Sequence, residues 1–233
     1  MNLFGYNTFK LYDGRGSFET LGSGIPMTFD EIAFKCNFAF IDQDGKVAKR
    51  RCDRNFVEWG IPLCDALNDV VIPGYDGKYV MKCQHATEHR CGIKISGPNL
   101  SSCITGNDPL KDNLPPVKCV AEDMSDKDAV FSGKLVQDAS DEIRRILSEH
   151  PINIKRKEEG KSYSNFVTLR GASKRISSQS FIEKHDLKAF MIAPTAIIRG
   201  IGITFGIDII DVKGTTGYYD SDLNGKADAT VEQ

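Results

Sequence analysis

The residues with chemistry to offer are mostly cations. Lys49, Arg50, Arg51 and Arg54 crowd into the run KRRCDRN. Like charges packed on one loop repel, and an anion held between them relieves the repulsion through charge-assisted hydrogen bonds. The alternative is a solvated charged face. Arg15 stands between Gly14 and Gly16, where bare backbone lets an anion approach a guanidinium closely, or where an arginine simply decorates a turn. Arg170, in RGASK, reads as a solvated loop end or as a cation at a junction between domains, a place that ligand sites favour. Two metal patterns fail on context. HATEH fits H-x-x-E-H, but zinc chemistry needs His85 and His89 on one helical face, and the flanks alternate with period two. That period places His85, Glu88 and His89 in a hairpin loop. Asp220, Asp222, Asn224 and Gly225 open like a calcium loop, yet Val231 occupies the position that must supply a bidentate carboxylate.

The elements that position these residues follow from periodicity. Met1–Tyr12 has helix-like apolar spacing, and Ser17-Phe18-Glu19 can restart a short helix after the glycines. Ile32–Phe40 alternates as a half-buried strand, with Lys35 and Asn37 on the polar side. Asp42-Gln43-Asp44-Gly45 turns it into a partner over Lys46–Arg50. Trp59–Leu67 reads as a helix, while Tyr79–His85 and Arg90–Ser96 form a second strand pair. Ser101–Pro116 is a polar loop in which Asp108, before Pro109, suits an Asx turn. A capping-box pattern at Ser125 opens a long helix striped by Phe131, Leu135, Ala139, Ile143 and Leu147, ended at His150-Pro151. Residues 154–161 read as charged and flexible. Asn165–Leu169 is then a strand, 170–174 a loop and 174–186 a polar linker between domains.

Composition sets bounds. The chain has 233 residues, 40% hydrophobic and 27% charged, enough for a real core in one large or two small domains. A net charge of −2 argues against nucleic acid as partner. No run of 18 apolar residues or signal peptide is visible, so no membrane span is expected. Seven scattered cysteines without a CxxC pair read as reduced thiols in a cytoplasmic protein rather than a disulfide or zinc framework.

The organising stretch is Leu187–Ala227. An apolar run at Ala189–Ala193, helical spacing over Thr195–Phe205 and β-branched density at Ile207–Val212 make a parallel βαβ unit. Two such strands cannot hide both of their own faces, so the unit reads as a piece of something larger. The segment KHDLKAFMIAPTAIIRGIGITFGIDIIDVKGTTGYYDS is similar to the late central segment of the archaeal-type phosphoglycerate mutases that work without bisphosphoglycerate, in the alkaline phosphatase superfamily. GYNTFKLYDGRGSFETLGSGI, FKCNFAFIDQDGKVAKRR, EHR, NDP, HPIN and LRGAS resemble that family in the same order, over nearly the whole chain.

The resemblance implies an α/β fold. Residues 1–25 would lead into an inserted substrate-binding domain, 26–173, with a mixed or antiparallel sheet. Residues 174–186 would link it to 187–233, a partial parallel segment of a phosphatase-like domain. It implies a phosphoryl group moved between the 3- and 2-hydroxyls of glycerate through a phosphoserine, with two divalent cations, manganese or magnesium. The serine and the metal ligands would lie outside these residues, so no cation is expected on this chain alone and the chain is expected to be inactive. Substrate contacts would fall on Arg15, Arg50, Arg51, Arg54, His89, Arg90, Asp108, Arg170 and Arg199. Lys49–Arg54 stand where the family has DRRAGR, with Lys49 and Asp53 departing from it. Arg199 replaces a lysine of the family, or else makes an interface salt bridge. A non-enzymatic module that binds phosphorylated metabolites, or a related superfamily hydrolase, remains the alternative, and exposed strand edges are expected to permit self-association.

Overall fold

In a computed structural model that describes residues 1–53 and 55–233, the chain opens with a 3-10 turn (Asn2–Phe4), a single helical turn α1 (Thr8–Leu11) and α2 (Gly16–Gly22). Then follow β1 (Ile32–Ile41), β2 (Val47–Lys49), α3 (Val57–Ala66), β3 (Val70–Val71), β4 (Val80–His85) and β5 (Arg90–Ser96). After a long loop come α4 (Lys127–Glu149), α5 (Pro151–Glu158), β6 (Phe166–Lys174) and α6 (Phe181–His185). The chain closes with β7 (Phe190–Met191), α7 (Ala196–Thr204), β8 (Asp208–Ile209) and α8 (Leu223–Val231).

Six strands form one antiparallel sheet ordered β2-β1-β5-β4-β3, with β6 on the other side of β1. Strand β1 is central and buried on both faces rather than half-buried, because helices cover the sheet from two sides. Ile32, Phe34, Cys36 and Phe38 enter the main core with α3 and the α4 stripe of Leu135, Ala139, Ile143 and Leu147. The opposite face of β1 carries Ala33, Lys35 and Asn37, and α2 packs across it. Side-chain alternation separates an apolar face from a polar one.

Helix α2 also packs on α7, so it ties the sheet to the parallel pair β7–β8. The crossing is close because each helix offers a glycine. A methyl on Gly22 would lie 1.7 Å from the Ala196 carbonyl oxygen, and one on Gly200 1.8 Å from that of Phe18. Tyr6 stacks on Phe205 with ring centroids 3.9 Å apart, drawing the first residues to the same unit.

Several expected boundaries move. Residues 170–174 continue β6, paired with β1 through a register shift, rather than forming a loop. Residues 151–158 are helical, not flexible, since Pro151 opens a new turn and the His150 side chain accepts from the Ile152 N–H. Asp126, not Ser125, caps α4 by accepting from the Asp128 and Ala129 N–H groups. The linker holds α6, with a Ser180/Glu183 capping box. Asp222, from the calcium-like loop, instead caps α8. Met1–Tyr12 makes only isolated turns. Among the described residues no helix is long and apolar enough to cross a membrane.

Candidate functional site

The polar face of the sheet gathers the cations. Lys35 on β1 stands opposite Arg170 on β6 and opposite Gly92 on β5, while Asn37 stands opposite Arg90. The long loop supplies a counter-charge by a local device. Buried Asn107 accepts from the Leu169 N–H at 2.6 Å and donates to the Val167 carbonyl at 3.1 Å, filling the outer edge of β6. That clamp delivers Asp108 beside Arg170, 3.7 Å away. Asp108 is also bidentate to Arg50, with Nε donating to Oδ1 at 2.6 Å and Nη2 to Oδ2 at 2.8 Å. Its Oδ1 accepts from the Leu110 N–H at 2.9 Å, so it makes the Asx turn as well as the ion pair.

Arg15, at the start of α2, lies against the same strand. A methyl on Gly171 would meet its Cγ at 3.3 Å, and its guanidinium pairs with Glu19 one turn on. The Ser17 N–H donates to the Ser173 Oγ at 2.8 Å and fixes this end of α2 on β6.

The balance of charge is positive, and Lys35 and His89 are buried within it. Burial, and then repulsion from Arg50, Arg15 and Arg51, push the Arg170 guanidinium below its ordinary value, although Asp108 opposes the shift. Burial, then Arg170, bring the Lys35 ammonium down to about 8. Burial, then Arg90, hold the His89 imidazole down at about 4, so it is neutral at physiological pH. Burial raises the Asp108 carboxyl, but the hydrogen-bonded Arg50 outweighs it and holds the group below the usual carboxylate range. Three buried polar nitrogens here lack a hydrogen-bond partner among the described residues: Arg15 Nε, Arg170 Nε and His89 Nδ1. Buried nitrogens without partners are rare and call for a missing one. A small anion with several oxygens would supply acceptors to the guanidiniums and relieve the excess charge.

Of the expected contact residues, the structure brings together Arg15, Arg50, Arg51, His89, Arg90, Asp108 and Arg170. Arg51 is exposed and acts on both Arg170 and His89. Arg90 pairs with Glu88 at 2.9 Å in the hairpin loop, where Tyr218 from the C-terminal segment also donates to Glu88 at 3.1 Å. Arg54 lies outside the described residues. Arg199 stands apart on α7, paired with Asp211, and the charges acting most strongly on Arg170, Lys35 and His89 do not include it. Lys35 was not among the expected contacts: its alternation placed it on a polar side without showing that α2 would bury it. Two further cues were present, the run of small residues Gly16, Ser17 and Thr20 that lets α2 sit close, and the Asn107-Asp108 pair.

An antiparallel sheet with a dry apolar face and a cationic polar face, joined by one helix to a parallel βαβ unit, defines a mixed α/β protein. Among solved structures, the cofactor-independent phosphoglycerate mutase of Thermoplasma acidophilum superposes with a TM-score of 0.73 at 31% identity, over 100% of this chain and 59% of that one. The model of the 2,3-bisphosphoglycerate-independent phosphoglycerate mutases matches residues 1–153, and the chain belongs to that family. A mutase of this name from Methanothermobacter thermautotrophicus is 35% identical over 96% of this chain, and one from Pyrococcus abyssi 33% over 100%. The chain spans about half the length of these relatives, 54% and 55%.

Proposed function

We propose that this chain is the substrate-holding part of an enzyme that interconverts 3-phosphoglycerate and 2-phosphoglycerate. The observation that carries the reading is the set of unpartnered nitrogens on Arg15, Arg170 and His89 within a group of under-neutralised cations. Phosphoglycerate brings a phosphate and a carboxylate, and guanidiniums bind both in forked geometry. Arg170 and Arg15 would take the phosphate, with Arg50 held in position by Asp108 and Arg51 completing the charge. Neutral His89 can exchange hydrogen bonds with a hydroxyl without adding repulsion, and Lys35 supplies a cation from beneath. Positioning and charge neutralisation are the larger part of what phosphoryl transfer asks of a protein. We assign substrate holding to residues 26–173 together with Arg15, and a share of a phosphatase-like domain to 187–233.

The two divalent cations that the resemblance implies do not fit these residues. Manganese and magnesium take oxygen ligands, whereas the metal-ligating group found among the described residues consists of three thiols. We therefore propose that the reacting serine and its metals belong to polypeptide outside these residues, and we expect the chain alone to bind without turning over.

Calorimetric titration with 3-phosphoglycerate tests this. Binding is expected, weakened about 10- to 100-fold by Arg170→Ala, the loss of one charge-assisted contact. Equal affinity in Arg170→Ala and Arg15→Ala, or no binding by the folded chain, would overturn the reading. Mutase turnover by this chain would overturn the placement of the reacting groups.

A further inference from the structure

On the face of the sheet away from the cations, three cysteines from three elements converge, and a fourth stands beside one of them. Cys64 on α3, Cys83 on β4 and Cys91 on β5 are buried, and their sulfurs lie within 4.8 Å of one another. Cys36 on β1 is the register partner of Cys91 across the strand pair. We propose that Cys64, Cys83 and Cys91, with Cys36 as the fourth ligand, form a structural site for a thiophilic divalent ion of the zinc class.

A single buried cysteine is a small apolar core residue, and Cys52 and Cys119 answer to that description. Convergence is what distinguishes Cys64, Cys83 and Cys91, with Cys36 beside Cys91. Zinc–sulfur bonds of about 2.3 Å in a tetrahedron put the sulfurs about 3.8 Å apart, so the observed triad needs only a small contraction. The ligands also come from a helix and three strands, so one ion would link α3 to the centre of the sheet. Nothing else in the sequence would have announced it, since the four are spread over 56 positions from Cys36 to Cys91 with no CxxC spacing.

Burial pushes the Cys36 and Cys83 thiols well up. Each thiol that becomes a ligand releases its proton, so apparent affinity should fall as pH is lowered. The surroundings exclude hard ions, because the pocket offers sulfur where magnesium or calcium would need oxygen. Because the site lies on the apolar face, its failure would leave the phosphoglycerate reading untouched.

The full chain, unfolded under reductant and refolded with Zn2+ or Co2+, tests this after desalting. One ion per chain is expected, with cobalt giving thiolate charge-transfer absorption and tetrahedral d–d bands that Zn2+ abolishes. Cys64→Ala and Cys83→Ala should lower the apparent affinity by 100-fold or more on the scale of lost metal ligands, about 3 kcal/mol. Cys36→Ala should lose the tetrahedral bands, and Cys103→Ala, altering the exposed cysteine, should bind as the parent does. Near-UV circular dichroism shows whether each variant has folded. Should the core variants fail to fold, the parent still decides. A natively folded parent with seven reduced thiols, no retained zinc and no cobalt absorption overturns the proposal, as does binding unchanged in folded Cys64→Ala and Cys83→Ala.

Discussion

Lys35 is the residue whose titration should report on the ligand. Its ammonium is down at about 8, through burial first and Arg170 second. A cation whose folded value lies below its unfolded value near 10.5 weakens the fold while it holds its proton. That cost is fully present below pH 8 and disappears as pH rises through the window from 8 to 10.5, by at most about 3 kcal/mol. An anion bound above Lys35 stabilises the charged form and raises the value again. Binding of 3-phosphoglycerate near pH 8.5 should therefore take up a fraction of a proton. Titrations in two buffers of different ionisation enthalpy would show it as a difference in apparent heat. Lys35→Met should remove that difference, and buffer-independent heats in the parent would separate Lys35 from the ligand.

At the scale of elements, the contact between α2 and α7 holds the two parts of the chain in register. Gly200→Ala would drive a methyl into the Phe18 carbonyl, an obstacle of backbone that can yield only if the helices part. Gly202→Ala meets the Ile209 Cδ1 at 2.6 Å, the end of a side chain that can turn aside. Alanine gains about 1 kcal/mol of helix propensity at either site. Gly202→Ala should therefore stay within about 1 kcal/mol of the parent in urea denaturation, while Gly200→Ala loses about 2–3 kcal/mol to overpacking. Equal midpoints would mean the helices are not in close contact. The elements readable from sequence were those whose own pattern decides them: the alternation of β1, β4 and β5, the stripe of α4 and the hairpin that placed Glu88 in its loop, with His85 ending β4 instead. Misread elements are held by partners far along the chain. RGASK has no apolar alternation, and becomes strand because Ile32 and Ala33 pair with Lys174 and Ser173. KRKEEG looked solvated, yet Arg156 lies 3.9 Å over the Trp59 ring and Asn153 is buried with bonds to the Leu147 and Ser164 carbonyls. The site shared that fate: its arginines stood out as a charge run, while Lys35 became visible only once α2 was laid across β1.

For the molecule as a whole, the two sheets differ in how far their strands are protected. In the large sheet β1 is flanked on both sides and buried on both faces. The parallel pair β7–β8 has two residues in each strand and two open edges, with Phe190, Ile198, Tyr219 and Leu223 exposed around it. So small a pair has little cooperative stability of its own, and α7 holds it on one side only. Its amides should exchange through cheap local openings, while those of β1 wait for global unfolding. Open edges with apolar neighbours also invite pairing with a second copy. We therefore expect the sedimentation-average mass to rise with concentration, and protection of Phe190, Met191 and Ile210 amides to rise in step, while β1 exchange stays constant. Phe190→Lys should suppress both changes without altering the urea midpoint of the large sheet. A mass that stays constant from micromolar to millimolar protein, with β7–β8 protected throughout, would show that α7 and the C-terminal segment already suffice to shield the pair.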